Sequence, residues 1–375
     1  MKLRKLKLAF IGGGINSAIG MTHKIASTMD DKFEVVCGCF SKSKDINEQT
    51  AESWHIDRYY DNHIDMIKNE KKNIDAIVIL TPTNTHTKII LDIINFNIPI
   101  ICEKTLTSSL DDTQLIKKIC DKQSSFLTTI YNYTGYPMVR ELKSMLANNH
   151  IGKIFNVRLE MPQESFIKLG AGGKVQKPQL WRLSDDDIPT ISLDLGTHLS
   201  NMCSFLISEK PIKVVSMQNS YGHYDVIDNV SCMIEYENNI NCQMWFSKCS
   251  AGHRNGLKVE VYGEKGSLMW YQMNPEVLHY CNNEGQTILI DRASKDVKVS
   301  NLKRYERFKA GHPAGFIEAF ANHYSDIYDA IIRYNEVGTG YMNEYVFDVN
   351  SSVDNLLLME AIKESAKSNK WVEVY

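Results

Sequence analysis

The sequence predicts an α/β protein: an N-terminal doubly wound parallel sheet, followed by an α+β domain with a large, mostly antiparallel open sheet. Three observations carry this. Between Lys7 and Tyr131 short apolar runs alternate with helix-length segments; three glycines directly follow the first of those runs; and after Tyr131 long extended segments with hairpin signals replace the alternation. The runs at 8–11, 33–40, 76–80, 98–102 and 126–131 are mostly apolar without alternation, as in parallel strands covered on both faces. Segments such as 85–96 and 110–123 supply the crossover helices. The second half opens with a helix over 137–148 and a strand over 154–161. Further strands are expected at 212–219, 229–236, 240–248, 257–263, 267–271 and 371–375, with turns at 237–239 and 263–266. Helices over 196–207, 314–333 and 353–367 are expected to cover one face of this sheet. The domains therefore divide as 1–132 and 133–375, with no internal repeat and no low-complexity linker.

Composition narrows the function class. At 375 residues the chain is long enough for about two domains, each with its own core. Forty-two basic against 45 acidic residues leave a net charge of −3, which offers no general attraction for nucleic acid or an anionic membrane. A small-molecule partner is expected. Residues 1–7 are basic, but only four apolar residues separate them from the glycines, too few for a secretory core segment. No run reaches the length of a membrane span. The nine cysteines include no Cys-x-x-Cys, and several lie inside apolar runs, the usage of a reducing cytoplasm with buried thiols. Cys37-Gly38-Cys39 has no histidine pair nearby, so no metal is expected.

The loop Gly12-Gly13-Gly14-Ile15-Asn16-Ser17 stands between the first strand and an amphipathic helix. That context is the pyrophosphate-binding turn of a Rossmann domain: Gly12 makes the tight turn, Gly14 admits the phosphates, and Ser17 replaces the third small glycine. Ile15 and Asn16 complete the contact. The second strand ends in Ser41 and Lys42, followed by Lys44, where an NAD-selective domain carries an acid. Electrostatics favours NADP slightly, and both NAD and NADP remain open. Thr81-Pro82-Thr83-Asn84-Thr85-His86 follows the run at 76–80, Glu103-Lys104-Thr105 closes the run at 98–102, and Asp194-Leu195-Gly196-Thr197-His198 opens a helix. Thr81, Pro82, Asn84, His86, Glu103 and Lys104 are thus further cofactor-binding candidates, with His86 lining the nicotinamide pocket or capping the next helix.

With the glycine loop, these motifs resemble the glucose–fructose oxidoreductase / inositol dehydrogenase (Gfo/Idh/MocA) family. Blocks at 132–140, 179–182, 255–266 and 311–320 extend the resemblance over nearly the whole chain. It implies a dehydrogenase acting on a CH–OH group of a sugar, cyclitol or derivative, and a homodimer or homotetramer formed through the open sheet. It further implies that Lys104 is the lysine of the family's Glu-Lys-Pro motif and that Asp194 and His198 are its Asp/His pair. Thr105 stands where proline is usual.

Alcohol oxidation needs a base for the hydroxyl proton. His198 is the preferred base, because imidazole titrates near neutrality. Asp194, four residues earlier at a helix start, would stack on the same face and orient it. Lys104 would hydrogen-bond the reacting oxygen and is the second acid/base candidate. Taken singly, Asp194 reads as a helix cap, His198 as a core residue and Lys104 as a surface lysine; their joint occurrence with a nucleotide loop favours the site. Tyr136, Trp181 and Arg182 read as an aromatic wall and forked donor for substrate, or equally as packing. His312 is a further substrate candidate. Lys177 and Gln163 fall in the segment 162–189, long enough to shape a substrate pocket, and Asp185-Asp186-Asp187 within it reads as a solvated charge run. Two other functions fit the same residues: an enzyme that retains its cofactor and oxidises a sugar transiently for elimination or hydrolysis, and a non-catalytic NAD(P)-binding regulator.

Overall fold

Apolar side chains on both faces of a strand need a layer on each side, and β1 (Leu6–Gly12) has them. Leu6, Leu8 and Phe10 enter one buried cluster, Ala9 and Ile11 another. The computed structural model describes residues 4–338 and 343–375. β1 pairs in parallel within a six-stranded sheet together with β2 (Phe33–Cys39), β3 (Arg58–Tyr59), β4 (Ala76–Leu80), β5 (Ile100–Glu103) and β6 (Leu127–Ile130). The strand order is β3-β2-β1-β4-β5-β6, the doubly wound arrangement expected from the sequence. The α-helices among the described residues are α1 (Gly20–Thr28), α2 (Lys44–Trp54), α3 (His63–Glu70), α4 (His86–Ile93), α5 (Leu110–Gln123), α6 (Pro137–Ala147), α7 (Thr197–Ile207), α8 (Phe316–Val337) and α9 (Val349–Ser368). Local chemistry marks their ends: the Asn62 side chain accepts from the N–H groups of Ile64 and Asp65 at the head of α3, and Ser109 Oγ accepts from Asp112 N at the head of α5.

Two compact units result: the chain up to Gly135 with 316–353, and 136–315 with 354–375. α8 was expected to cover the second sheet. Instead its Phe320, Tyr324, Ile327, Tyr328 and Ile331 join the cluster of Leu6, Leu8 and Phe10, so the segment 316–353 belongs to the first unit, whereas the division at 132 had placed it in the second. Phe347 O then accepts from Thr129 N and Thr128 Oγ1, both at 2.9 Å, satisfying groups of β6.

The second unit holds a nine-stranded sheet. Its strands are β7 (Ile154–Pro162), β8 (Pro211–Asn219), β9 (Asn229–Tyr236), β10 (Ile240–Ser247), β11 (Lys258–Gly263), β12 (Gly266–Tyr271), β13 (Val277–Asn282), β14 (Thr287–Asp291) and β15 (Val372–Glu373), in the order β14-β13-β12-β11-β7-β10-β9-β8-β15. The β7–β10 pair is parallel and the other described pairs are antiparallel. β13 and β14 were not foreseen, because their side chains are mostly half-buried or exposed and carry little hydrophobic alternation. Inward residues such as Val157, Leu159, Cys242, Met244, Phe246, Val259 and Val261 are buried. α9 meets that face, with Ser216 Oγ donating to Ile362 O and Ser216 N to Ser365 Oγ. The outward face carries the ion pairs Arg158–Glu160, Lys258–Glu260 and Lys213–Glu235 among exposed Met217, Met233 and Leu289.

Candidate active site

The glycine loop is shaped by close approach. Gly12 and Gly13 have φ of +80° and +77°, a region that only glycine enters cheaply. A Cβ on Gly14 would lie 3.1–3.2 Å from Ile46, Thr50 and Phe40, so a side chain there would crowd the turn. Gly14 N donates to Phe40 O and Ile15 N to Thr50 Oγ1, at 3.1 Å each, so these two N–H groups serve the loop itself. Ile15 and Asn16 are exposed. α1 starts at Gly20, three residues later than the glycine pattern suggests. Ser17 is correspondingly not the close-packing position. Its Oγ accepts from Ile19 N and Gly20 N at 3.3 and 3.2 Å and shapes the turn. The tight contact belongs to Gly20, where a Cβ would sit 1.8 Å from Gly13 O. This backbone cradle at the head of a helix fits a dinucleotide pyrophosphate.

After β2, Ser41 is pinned by buried Asn47, which accepts from Ser41 N at 2.8 Å and donates to Ser41 O at 3.0 Å. Lys42 is exposed beside it. Pro82 and Asn84 are exposed and Thr81 is half-buried in the loop after β4. His86 is fully buried and offers no ring surface to a cofactor; its ring nitrogens meet Thr81 O at 2.8 Å and Thr105 O at 2.9 Å, joining the loops that follow β4 and β5. Burial holds its pKa below the ordinary histidine range, against the opposing pull of those carbonyls. At the end of β5, Glu103 accepts from Lys104 N at 3.0 Å and meets His23 Nε2 at 2.8 Å. His23, fully buried on α1, contacts Tyr324 Oη of α8 through its other nitrogen at 2.8 Å. Sequence reasoning missed His23 and Tyr324, which lie 301 residues apart. Lys104 is half-buried, and the Lys104–Thr105 peptide is cis.

In the second unit Asp194 lies within a π-helical turn, Ser192–Gly196, that leads into α7, and His198 sits in the first turn of α7. The expected stacking of the two assumed regular α geometry from Asp194 onward; the structure has a wider turn there, of a kind frequent at functional sites. Asp194 and His198 are 6 % and 8 % exposed. Asp194 Oδ2 accepts from Lys248 Nζ at 2.6 Å, and Arg182 Nη2 lies 3.4 Å from the same oxygen. Lys248, just past β10, carried no signal in the sequence beyond being a lysine at the end of an apolar run. The Arg182 guanidinium stacks over Trp181 with 4.8 Å to the ring centroid, and Trp181 Nε1 donates to Gln179 Oε1. Tyr136 is 2 % exposed and packs on Trp270, so the packing reading holds for it. His312 is exposed beside Phe308, and its carbonyl accepts from Arg292. Lys177 is exposed, and Gln163 donates to Asn255. Asp185 braces its segment by accepting from Thr190 N and Ile227 N, and Asp187 pairs with Lys363. The Cys37 and Cys39 thiols are buried, which pushes them up to about 12 and about 11.

Comparison with known proteins agrees with both units. Residues 6–131 match the family model described as "Oxidoreductase family, NAD-binding Rossmann fold", and residues 139–269 match that of the GFO/IDH/MocA C-terminal domain. The oxidoreductase YfiI of Bacillus subtilis (strain 168) is 28 % identical over 99 % of this chain and 97 % of its own. Glucose-6-phosphate 3-dehydrogenase of the same organism is 24 % identical over 72 % of this chain and 76 % of its own. Among solved structures, an inositol dehydrogenase homolog of Azotobacter vinelandii, complexed with NADH and myo-inositol, shares the fold with a TM-score of 0.88 at 22 % identity, covering 99 % of this chain and 98 % of that one. The chain belongs to the Gfo/Idh/MocA family of NAD(P)-dependent oxidoreductases, with an NAD-binding Rossmann unit followed by the family's C-terminal domain.

Proposed function

We propose that the protein transfers a hydride between NAD or NADP and a secondary alcohol of a sugar, cyclitol or sugar derivative. The observation that carries this reading is the set of three chemistry-bearing residues in a chain of this family: Lys104 at the carboxyl end of β5, and the buried Asp194 and His198 at the head of α7. The glucose-6-phosphate 3-dehydrogenase relative supports a sugar derivative as substrate. When bound, the nicotinamide ring supplies the hydride acceptor.

The remaining chemistry falls to this chain. A ring nitrogen of His198 takes the hydroxyl proton, and the Lys104 ammonium donates to the reacting oxygen. Asp194, held in place by two cations, is the group that orients the His198 ring for this proton transfer. Gly12, Gly14, Ile15 and Asn16 receive the pyrophosphate, Ser41 and Lys42 the adenosine ribose, and Thr81, Pro82, Asn84 and Glu103 the nicotinamide end; His86 holds two of these loops from beneath. Trp181 and Arg182 offer a flat ring and a forked donor to substrate.

We further place the protein in the cytoplasm, in keeping with nine free cysteines, and read it as a homodimer or homotetramer. The outward face of the nine-stranded sheet, with Met217 and Met233 66 % and 52 % exposed, supports a second copy as its cover. Light scattering that finds a monomer at micromolar concentration refutes the assembly. The function is tested by screening sugars, inositols and sugar phosphates with NAD and NADP while following reduced-nicotinamide absorbance. Stoichiometric growth with a polyol supports the proposal. Product without net cofactor change indicates transient oxidation, and cofactor binding without turnover of any polyol refutes the enzymatic reading.

A further inference from the structure

We propose that Lys248 is a positioning residue of this site, holding the Asp194 carboxylate ionised and aimed, and that it affects the reaction only through Asp194. The proposal rests on the role given to Asp194 above and adds a residue to it. The Lys248 and Asp194 side chains are 1 % and 7 % exposed, with 2.6 Å between ammonium and carboxylate. Stability does not account for such a pair. Removing two charges from water is costly enough that well-packed apolar residues of similar volume serve a fold equally well or better, whereas deleting one partner strands the other. A buried ion pair touching a candidate site is therefore better explained by what it does to the site.

The surroundings of Lys248 show how it is aimed. Lys248 N donates to Asp228 O at 2.8 Å, and Lys248 O accepts from Phe166 N at 2.9 Å. Asp228 is itself fully buried, its carboxylate accepting from Tyr221 N and Gly222 N. The lysine stem thus leaves a backbone held on both sides, and Nζ lies 5.4 Å from the Phe166 ring centroid. Arg182 reaches the same carboxylate oxygen from a short 3₁₀ turn, Leu180–Leu183, with its side chain 30 % exposed and its contact at 3.4 Å. The two cations are unequal. The guanidinium is open to solvent and to a ligand, while the ammonium is enclosed. Lys248 consequently keeps Asp194 anionic whether or not Arg182 turns to substrate, and the reaction's proton is left to His198.

The test is a double-mutant cycle on the full chain with Lys248→Met, Lys248→Arg, Asp194→Asn and the Lys248→Met/Asp194→Asn pair. Polyol kcat and KM, NADH affinity by fluorescence and urea stability are measured for each. Expected is a loss of about 100-fold in kcat/KM for Lys248→Met, recovered to within about 10-fold of wild type by Lys248→Arg, with NADH affinity changed less than about 3-fold. In the Asp194→Asn background, at raised enzyme concentration, Lys248→Met is expected to change kcat/KM by less than about 3-fold. Equal losses in both backgrounds, or full activity of Lys248→Met, overturn the proposal. If the wild-type chain binds NADH but turns over no polyol, the functional reading fails and the pair is judged by stability. Destabilisation by Lys248→Met that disappears with Asp194→Asn supports the coupling, and independent losses overturn it. Should Lys248→Met not fold, the same comparison is made with Lys248→Arg in the wild-type and Asp194→Asn backgrounds.

Discussion

Gly20→Ala should destabilise the protein and weaken dinucleotide binding, although helix propensity alone argues the opposite. Alanine is better than glycine inside a helix by about 1 kcal/mol, and Gly20 is the first residue of α1. The added Cβ, however, would lie 1.8 Å from Gly13 O, 2.5 Å from its carbonyl carbon and 2.9 Å from its Cα. A side-chain carbon practically never approaches another heavy atom to within 3.0 Å, so helix and loop must separate by more than about 1 Å. The obstacle is backbone and cannot rotate aside. Overpacking of this kind costs about 3 kcal/mol, which outweighs the propensity gain and leaves a net loss of roughly 2 kcal/mol. Because Gly13 belongs to the phosphate loop, NADH affinity should fall about 10- to 100-fold, the usual penalty for misplacement of this size. Urea denaturation and NADH fluorescence titration measure the two effects. Ser17→Gly is the control: it removes the side chain whose hydroxyl accepts from Ile19 N and Gly20 N, worth at most about 1 kcal/mol, with binding within about 3-fold. If Gly20→Ala matches wild type in both assays, or if Ser17→Gly is the more damaging of the two, the assignment of close packing to Gly20 is wrong.

Three other outcomes are expected. His23→Leu strands the Tyr324 hydroxyl and the Glu103 carboxylate and should lower stability by about 2–4 kcal/mol; an unchanged urea midpoint contradicts this. Lys42→Ala, at an exposed position after β2, should weaken NADP binding about 5- to 10-fold and leave NAD within about 2-fold; equal effects on both cofactors exclude Lys42 as a reader of the 2′-phosphate. Burial pushes the Cys37 and Cys120 thiols up to about 12 from 9.0. Between these values the unfolded chain has released the protons and the folded chain still binds them. Stability is therefore undiminished below about pH 9 and falls above it, by up to about 1.4 kcal/mol per pH unit for each thiol. Urea midpoints at pH 8 and pH 10.5 check this, and Cys37→Ala should show the smaller decline.

Much of the architecture was legible because it is written in the order of neighbouring side chains. Continuous burial potential on β4, Ala-Ile-Val-Ile-Leu, demands cover on two faces; the alternation in β9 and β10 demands it on one. Lys104, Asp194 and His198 could be named from their motifs and their places at element ends. The amphipathic pattern of α8 identified a helix but carried no statement of which apolar surface it would meet, and only tertiary packing assigned its ring-bearing face to the first sheet. Gly20 reads as one more glycine until the separation of α1 from Gly13 is known. His86 looked like a pocket residue until burial and two carbonyls claimed both its nitrogens. The buried ammonium that meets Asp194 lies 54 residues away. Hydrophobic period and turn chemistry are properties of consecutive residues, so the sequence alone determines the elements and their exposed sides. Which surfaces meet, and which buried charges find each other, depends on contacts between distant segments, and these exist only once the chain has closed.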